Sequence, residues 1–314
     1  MKPIVVVGSI NMDMVSRAEH IPAPGETVLG SSFEMFTGGK GANQAVAIAR
    51  LGYPVKLIGR LGTDPFADQL RSDLADSGVD ITSIQTADGP SGVAVIIVSS
   101  DGNNSIVVTP GANAKVLPRD IIKDIEAIRG AGVVLAQLEI PLETIEYLAM
   151  MCAREGVPLI LDPAPAQELP QEIFKHVTWF TPNRIEASYF TGIDAAELNG
   201  SAAATMAESL LAKGCKAAIV KLGAHGAYLA SESGLSQLVP AFHVKAVDTT
   251  AAGDAFNGGF ATALMLGKSP IESARFAAAV AGISVTRVGA QPSMPSFSEV
   301  ERLLNQEIEK ATTR

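Results

Sequence analysis

Hydrophobic and polar positions follow two periods along the chain. Short, largely apolar runs at Ile4–Val7, Val55–Gly59, Val133–Leu138, Pro158–Leu161 and Ala217–Leu222 read as strands buried on both faces. Between them, Gly41–Leu51, Asp64–Ser77, Leu142–Arg154 and Ala202–Lys213 carry apolar residues at helical spacing. Gly52 and Gly78 follow two of these as stop signals. The last third is predicted to be helical over Ala251–Leu266, Pro270–Thr286 and Phe297–Ala311. Strands that alternate with helices build a parallel sheet covered on both faces. The expected fold is therefore α/β, a three-layer, mostly parallel β-sheet flanked by helices.

Two stretches break this rhythm. Thr27–Phe36 and Val93–Val108 read as strand and hairpin material, the second folded at Asp101-Gly102-Asn103-Asn104, a strong turn signal. Neither is followed by a crossover helix. They predict a small antiparallel β-sheet lid, built from segments about 13–37 and 91–110 inserted into a single domain spanning 1–314.

Composition narrows the partners. An apolar content of 47% with 18% charged residues excludes a disordered chain. A net charge of −9 supplies no basic field for nucleic acid or an anionic membrane. A nucleotide must then be held by local devices: a helix N-terminus, a bound cation, one or two lysines. The two cysteines, Cys152 and Cys215, have no CxxC spacing and read as core thiols. His20, His176, His225 and His243 have no zinc-ligand spacing. The apolar run in Met1–Gly8 is too short for a signal peptide, and no charge-free run approaches the roughly 20 residues of a membrane helix. The expectation is a cytoplasmic protein.

The segment Val247–Phe260 carries the sharpest chemistry. A strand-like run ends at Val247, small residues and a glycine follow, and a helix begins near Ala252. Its first amides, at Ala252, Gly253 and Asp254, are expected to point outward unpaired, where the helix dipole favours an anion. Asp254 sits beside that anion hole and can accept a proton from an attacking hydroxyl. An isolated aspartate would do no more than complement the dipole, and Asp248 alone would cap a turn. Two aspartates flanking a glycine-containing helix start favour function.

Thr37–Ala45 also places glycines before a helix. It is not a Walker A loop, because Glu34 stands where that motif needs glycine and Gly41 where it needs Ser or Thr. Gly38-Gly39-Lys40-Gly41-Ala42-Asn43 instead offers close backbone approach to a ligand with many hydroxyls, with Lys40 and Asn43 as donors. Gly8-Ser9-Ile10-Asn11-Met12-Asp13 follows the first strand, and Asn11 and Asp13 can face one side. Glu139 follows another strand, and Asn183 and Glu186 sit at i and i+3, equally readable as a capping box. Gly223–Gly226 forms a loop whose position suits a nucleotide contact. There is no G-x-G-x-x-G, which argues against a nicotinamide-dependent oxidoreductase.

Gly8–Asp13, Gly38–Ala45, Asn183-x-x-Glu186 and Asp248-Thr249-Thr250-Ala251-Ala252-Gly253-Asp254 resemble, in that order, the signatures of the ribokinase (PfkB-type) carbohydrate kinases. Asp162-Pro163-Ala164-Pro165-Ala166 and Gly289-Ala290-Gln291-Pro292-Ser293 resemble segments of the same family. The resemblance runs from about Ile4 to Ser293. It implies a lidded α/β kinase that phosphorylates the primary hydroxyl of a pentose with ATP, D-ribose going to ribose 5-phosphate. Same-fold kinases for deoxyribose, fructose, 2-keto-3-deoxygluconate or adenosine stay open as alternatives, with a non-catalytic sugar-binding protein beyond them.

The resemblance also implies roles. Asp254 would be the base, with the amides around Ala252 and Gly253 stabilising the transferred phosphoryl group. Asn11, Asp13, Gly39, Lys40, Asn43, Glu139 and Asp254 would hold the sugar. ATP would lie against Asn183, Lys221, Gly223, Gly226, Thr249 and Gly253. Asn183 and Glu186 would place Mg²⁺, and Asp248, the Thr250 carbonyl and Ser293 a monovalent activator, K⁺. The lid would pair with its twin in a homodimer. Arg184 and His225 depart from the residue types common in the family at their positions.

Overall fold

The computed structural model describes residues 1–194 and 200–312. Strands are numbered in chain order across both sheets. The larger sheet contains β1 (Ile4–Val7), β4 (Val55–Leu61), β5 (Ile84–Thr86), β8 (Val133–Gln137), β9 (Leu159–Asp162), β10 (Trp179–Phe180), β11 (Ala217–Lys221), β12 (Ala227–Ser231) and β13 (Ser236–Val239). Its order is β13-β12-β11-β10-β9-β8-β1-β4-β5. Every pair from β11 to β5 is parallel, while β12 and β13 add antiparallel strands at one edge.

The central strands are mostly apolar because both faces are covered, with Gln137 and Asp162 at the ends of β8 and β9. Along β1, Ile4 and Val6 enter one core, and Val5 and Val7 enter the other. Helices Lys40–Arg50, Pro65–Asp76, Ala252–Met265 and Pro270–Ser284 cover the first face. Helices Leu142–Glu155 and Gly200–Ala212 cover the second. Cys152 and Cys215 are free and buried there, as the sequence predicts. No helix among the described residues is long and apolar enough to cross a membrane.

Two glycines set the helix packing that builds the site. A Cβ on Gly258 would lie 2.7 Å from that of Ala47, and one on Gly259 would lie 2.8 Å from Val280 Cγ2. Helix Ala252–Met265 therefore nests directly against helices Lys40–Arg50 and Pro270–Ser284. Asp254 is thereby carried up to Asn43.

The smaller sheet has the order β3-β2-β6-β7, from β2 (Asn11–Ala18), β3 (Gly30–Gly38), β6 (Gly92–Ser99) and β7 (Asn104–Thr109). It is the expected lid: β2 with β3 and β6 with β7 pair antiparallel, while the two hairpins join through β2 and β6, which run parallel over their full length. Both strands enter from the larger sheet in the same direction, and the chain from β3 to β5 supplies the crossover that a parallel pair needs. Asn11 and Asp13 belong to β2 itself rather than to a loop after β1.

Candidate active site

The site forms where the chain leaves β1, β8 and β9 and meets the starts of helices Lys40–Arg50 and Ala252–Met265. Gly39 makes the first approach possible. Its φ is +87°, and a Cβ there would lie 2.7 Å from the Asn11 nitrogen. The Ala42 amide donates to the Ser9 carbonyl at 2.9 Å, locking the helix start onto the end of β1. Glu139 Oε2 accepts from Ser9 Oγ and from the Lys40 amide. Asn113, which the sequence reading missed, clamps β2: it bonds both backbone groups of Ile10 and donates to Asn11 Oδ1 at 2.7 Å.

Asp254 is only 4% exposed. Asn43 Nδ2 donates to its Oδ2 at 3.0 Å, and Gln44 Nε2 to its Oδ1 at 3.1 Å. Burial pushes its carboxyl up to about 6, with Asp162 adding to the rise and Lys40 and the two amides opposing it. Asp13 is pushed up to about 7 by burial and by the charges of Glu139 and Asp254. Burial works to discharge Lys40, but Asp254, Asp162, Glu139 and Glu186 overcome it and hold the ammonium charged. A cation among carboxylates and amides is a set of donors and acceptors suited to a polyhydroxylated ligand. Of the predicted sugar residues, Asn43 bonds Asp254, Lys40 and Asp13 lie within reach of its charge, Glu139 bonds the Lys40 amide, and Gly39 packs against Asn11.

The helix start differs from expectation in one respect. Ala251 adopts a left-handed conformation, φ 57°, which folds the Ala252 amide back onto the Thr249 carbonyl at 3.2 Å. The first-turn amides of Gly253 and Asp254 donate to no carbonyl ahead of the helix. Lys221 brings an ammonium to this helix start, the candidate anion site. Its Nζ lies 3.3 Å from where a Cβ on Gly253 would stand and 3.0 Å from Asp162 Oδ1. Beyond it opens a cleft of about 270 Å³, lined by Lys221, Gly223, Gly226, Thr249, Ala252 and Gly253 and walled by Phe242, Phe256 and Val285. His225 and Asn183 are not among the lining residues.

Asn183 and Glu186 do form a capping box: Asn183 Oδ1 accepts from the Glu186 amide at 2.9 Å, and Glu186 Oε2 accepts from the Asn183 amide at 2.7 Å. Burial and the charge of Asp162 raise the Glu186 carboxyl, against the pull of Lys221. An isolated bridge between Asn183 and Lys221 puts this pair beside the anion site. Asp248 accepts from the amides of Thr250 and Gly289, both at 2.9 Å. Burial works to raise its carboxyl, but these bonds win and hold it below the usual range. Ser293 Oγ donates to the Ala290 carbonyl at 2.7 Å, in the same segment that Gly289 ties to Asp248. No group of three or more His, Cys, Asp or Glu side chains among the described residues forms a ready-made metal cage.

Several site residues escaped the sequence reading. Asp162 ends β9 and pairs with Lys221. It lies in the Asp162–Ala166 segment that resembles the family, and its place at a strand's C-terminal end was a further signal. Gln44 and Gln291 lie inside quoted motifs but carry no pattern of their own. Thr37 Oγ1 donates to Gln291 Oε1 at 2.9 Å, and Gln291 Nε2 donates to Asn43 Oδ1 at 3.3 Å.

Known proteins share this sequence and fold. Residues 1–296 match the model of the pfkB family of carbohydrate kinases. The chain is 41% identical to the ribokinase of Haemophilus influenzae over 305 residues, covering 96% of this chain and 98% of that one. Identity to the ribokinase of Bacillus subtilis is also 41%, covering 97% and 100%. The structure of Arabidopsis thaliana ribokinase complexed with ribose and ATP superposes with a TM-score of 0.90 at 37% identity, covering 96% of this chain and 98% of that one.

Proposed function

Because the chain belongs to the pfkB family of carbohydrate kinases, we propose that it transfers the γ-phosphoryl group of ATP to the 5-hydroxyl of D-ribose. The observation that carries this reading is the place of Asp254. A buried carboxylate, pinned by Asn43 and Gln44, stands in the same helical turn as the Gly253 and Asp254 amides and next to a lysine-bearing cleft. The relatives named ribokinase, and the ribokinase complexed with ribose and ATP, support the choice of sugar and donor.

In the reaction, the 5-oxygen bonds to the γ-phosphorus while the bond from phosphorus to the β–γ bridging oxygen breaks. The hydroxyl proton passes to an Asp254 oxygen. The transition state is loose, so catalysis rests on positioning and on charge stabilisation. The amides of Gly253 and Asp254 and the Lys221 ammonium meet the charge on the transferred group. Asp13, Asn11, Lys40, Asn43 and Glu139 orient the sugar through its other hydroxyls. ADP leaves from the cleft lined by Gly223, Gly226 and Thr249.

The donor sets fit two cations. Glu186 is a buried carboxylate that feels the charge of Asp162, and Asp162 itself binds the Lys221 ammonium. Asn183 and Glu186 would hold a hydrated Mg²⁺, which neutralises phosphate charge when bound. Asp248 keeps lone pairs beyond its two amide bonds, and with the Thr250 carbonyl and Ser293 offers oxygen ligands alone, suited to K⁺.

The outer face of the smaller sheet supports a homodimer. Met35, Met14, Val95 and Val107 lie in one cross-strand row. Met35 is 53%, Val95 46% and Val107 63% exposed, a contiguous apolar face of the kind that partners cover. The lid and the main body form a single domain in this reading, and use of ATP fits a cytoplasmic enzyme.

An assay of ADP release with ribose, deoxyribose, fructose, adenosine and 2-keto-3-deoxygluconate tests the reading. Ribose should give the highest kcat/KM, with the rate lost on chelation of divalent ions and raised by K⁺. Preference for another acceptor would overturn the assignment of sugar, and no ADP with any of them would overturn the kinase.

A further inference from the structure

Among the buried amides, Gln44 does more than hold one oxygen of Asp254. Gln44 is fully buried between two carboxylates that serve opposite sides of the site. Its Nε2 donates to Asp254 Oδ1 at 3.1 Å and to Asp162 Oδ2 at 3.0 Å. Asp162 in turn holds the Lys221 ammonium at 3.0 Å, beside Gly253. An unbroken line of bonds therefore runs from the base on the sugar side to the lysine on the phosphate side.

The direction of the Gln44 amide is fixed from both ends. Ionised carboxylates only accept, so the nitrogen must face them. The oxygen accepts from Gln137 Nε2 at 2.7 Å. Gln137 is itself fully buried, and its other amide atom, Oε1, lies toward Gly8 without a hydrogen-bond partner, so the nitrogen is the group that meets Gln44. With Asn43 on one oxygen of Asp254 and Gln44 on the other, the carboxylate cannot rotate.

We propose that Gln44 is a positioning residue for phosphoryl transfer. By bridging Asp254 and Asp162 it fixes the base toward the sugar and places a donor between two buried like charges. It thereby ties the orientation of the base to that of Lys221. The inference rests on Asp254 acting as the base.

The test compares Gln44→Met, which keeps the volume and removes the amide, with Gln137→Met, which removes only the donor that orients Gln44. Gln44→Met should lower kcat by about tenfold or more, with KM for ribose and ATP within about threefold. Loss of a donor to the charged carboxylate should also move the acidic limb of kcat/KM upward by about half a unit, while Lys40, Asp162 and Asp13, the charged groups facing Asp254, are unchanged. Gln137→Met should give the same signature with a smaller fall. Wild-type kcat and an unmoved acidic limb in both variants, or a loss confined to KM, would overturn the proposal. If Gln44→Met does not fold, Gln137→Met decides alone. Ribose-dependent ADP release by the wild type and its loss in Asp254→Asn are measured alongside. Failure of those two controls would strike the base assignment rather than the bridge.

Discussion

Thr37, near the end of β3 in the smaller sheet, donates to the side chain of Gln291, which lies 254 positions further along the chain. Gln291 passes the contact on to Asn43, and Asn43 to Asp254. The smaller sheet is thus hydrogen-bonded to the proposed base through two amide side chains. Thr37→Val would leave the Gln291 oxygen buried without its donor, at a cost of about 1 kcal/mol. The expected result is a KM for ribose raised roughly fivefold with kcat little changed, read from steady-state kinetics at saturating ATP. An unchanged KM would mean that this contact does not help hold the sheet over the sugar.

The pH dependence follows from the two raised carboxyls. Asp254 is raised to about 6 and Asp13 to about 7, burial being the largest cause for each. Folding therefore favours their protonated forms. The stability this lends the free protein is full below the ordinary carboxylate range and is lost as pH rises through about 6 to 7. Catalysis has the opposite sign, because the base must be ionised. The kcat/KM profile should fall on the acid side with an apparent pKa between about 6 and 7, belonging to the coupled pair rather than to either residue. A profile flat down to the ordinary carboxylate range would contradict this.

Gly92 shows how tightly the sugar end is built. A Cβ there would lie 2.1 Å from Asn11 Oδ1 and 2.2 Å from Asn113 Nδ2. Gly92→Ala must push those amides apart, so it should raise KM for ribose by about tenfold or more while leaving KM for ATP within about twofold. Equal losses for both substrates would show instead a general loosening of the fold.

The outer face of the smaller sheet gives a fourth expectation. Val107→Lys places a charge in the exposed row formed with Met35, Met14 and Val95. Light scattering after size exclusion should find a dimer for the wild type and a monomer for the variant. A wild-type monomer, or a variant that still dimerises, would remove this face as the interface.

Much of the large sheet was legible because its central strands are apolar on both faces, as in Ile4–Val7 and Val133–Gln137. The helix starts at Lys40 and Ala252 were legible from their glycines. The strand Asn11–Ala18 was not, because its two faces serve different needs. Asp13 turns toward the site and Met14 joins the outer row, so Asn11 and Asp13 read as loop formers. The buried amides were hidden for another reason. Gln44 meets Asp162 across 118 positions and Asn43 meets Gln291 across 248, and no local periodicity encodes such pairings. The Ala252 amide was misplaced because the left-handed turn at Ala251 occurs at a residue that rarely adopts it.

Asp254 is the proposed acceptor of the attacking hydroxyl's proton. The most direct test of this role is the kcat of Asp254→Asn, with ribose binding measured separately by calorimetry. The substitution keeps the shape of the side chain and removes its basicity. Turnover should fall by roughly 10²–10⁴-fold with ribose affinity largely retained. Turnover near that of the wild type would contradict the account.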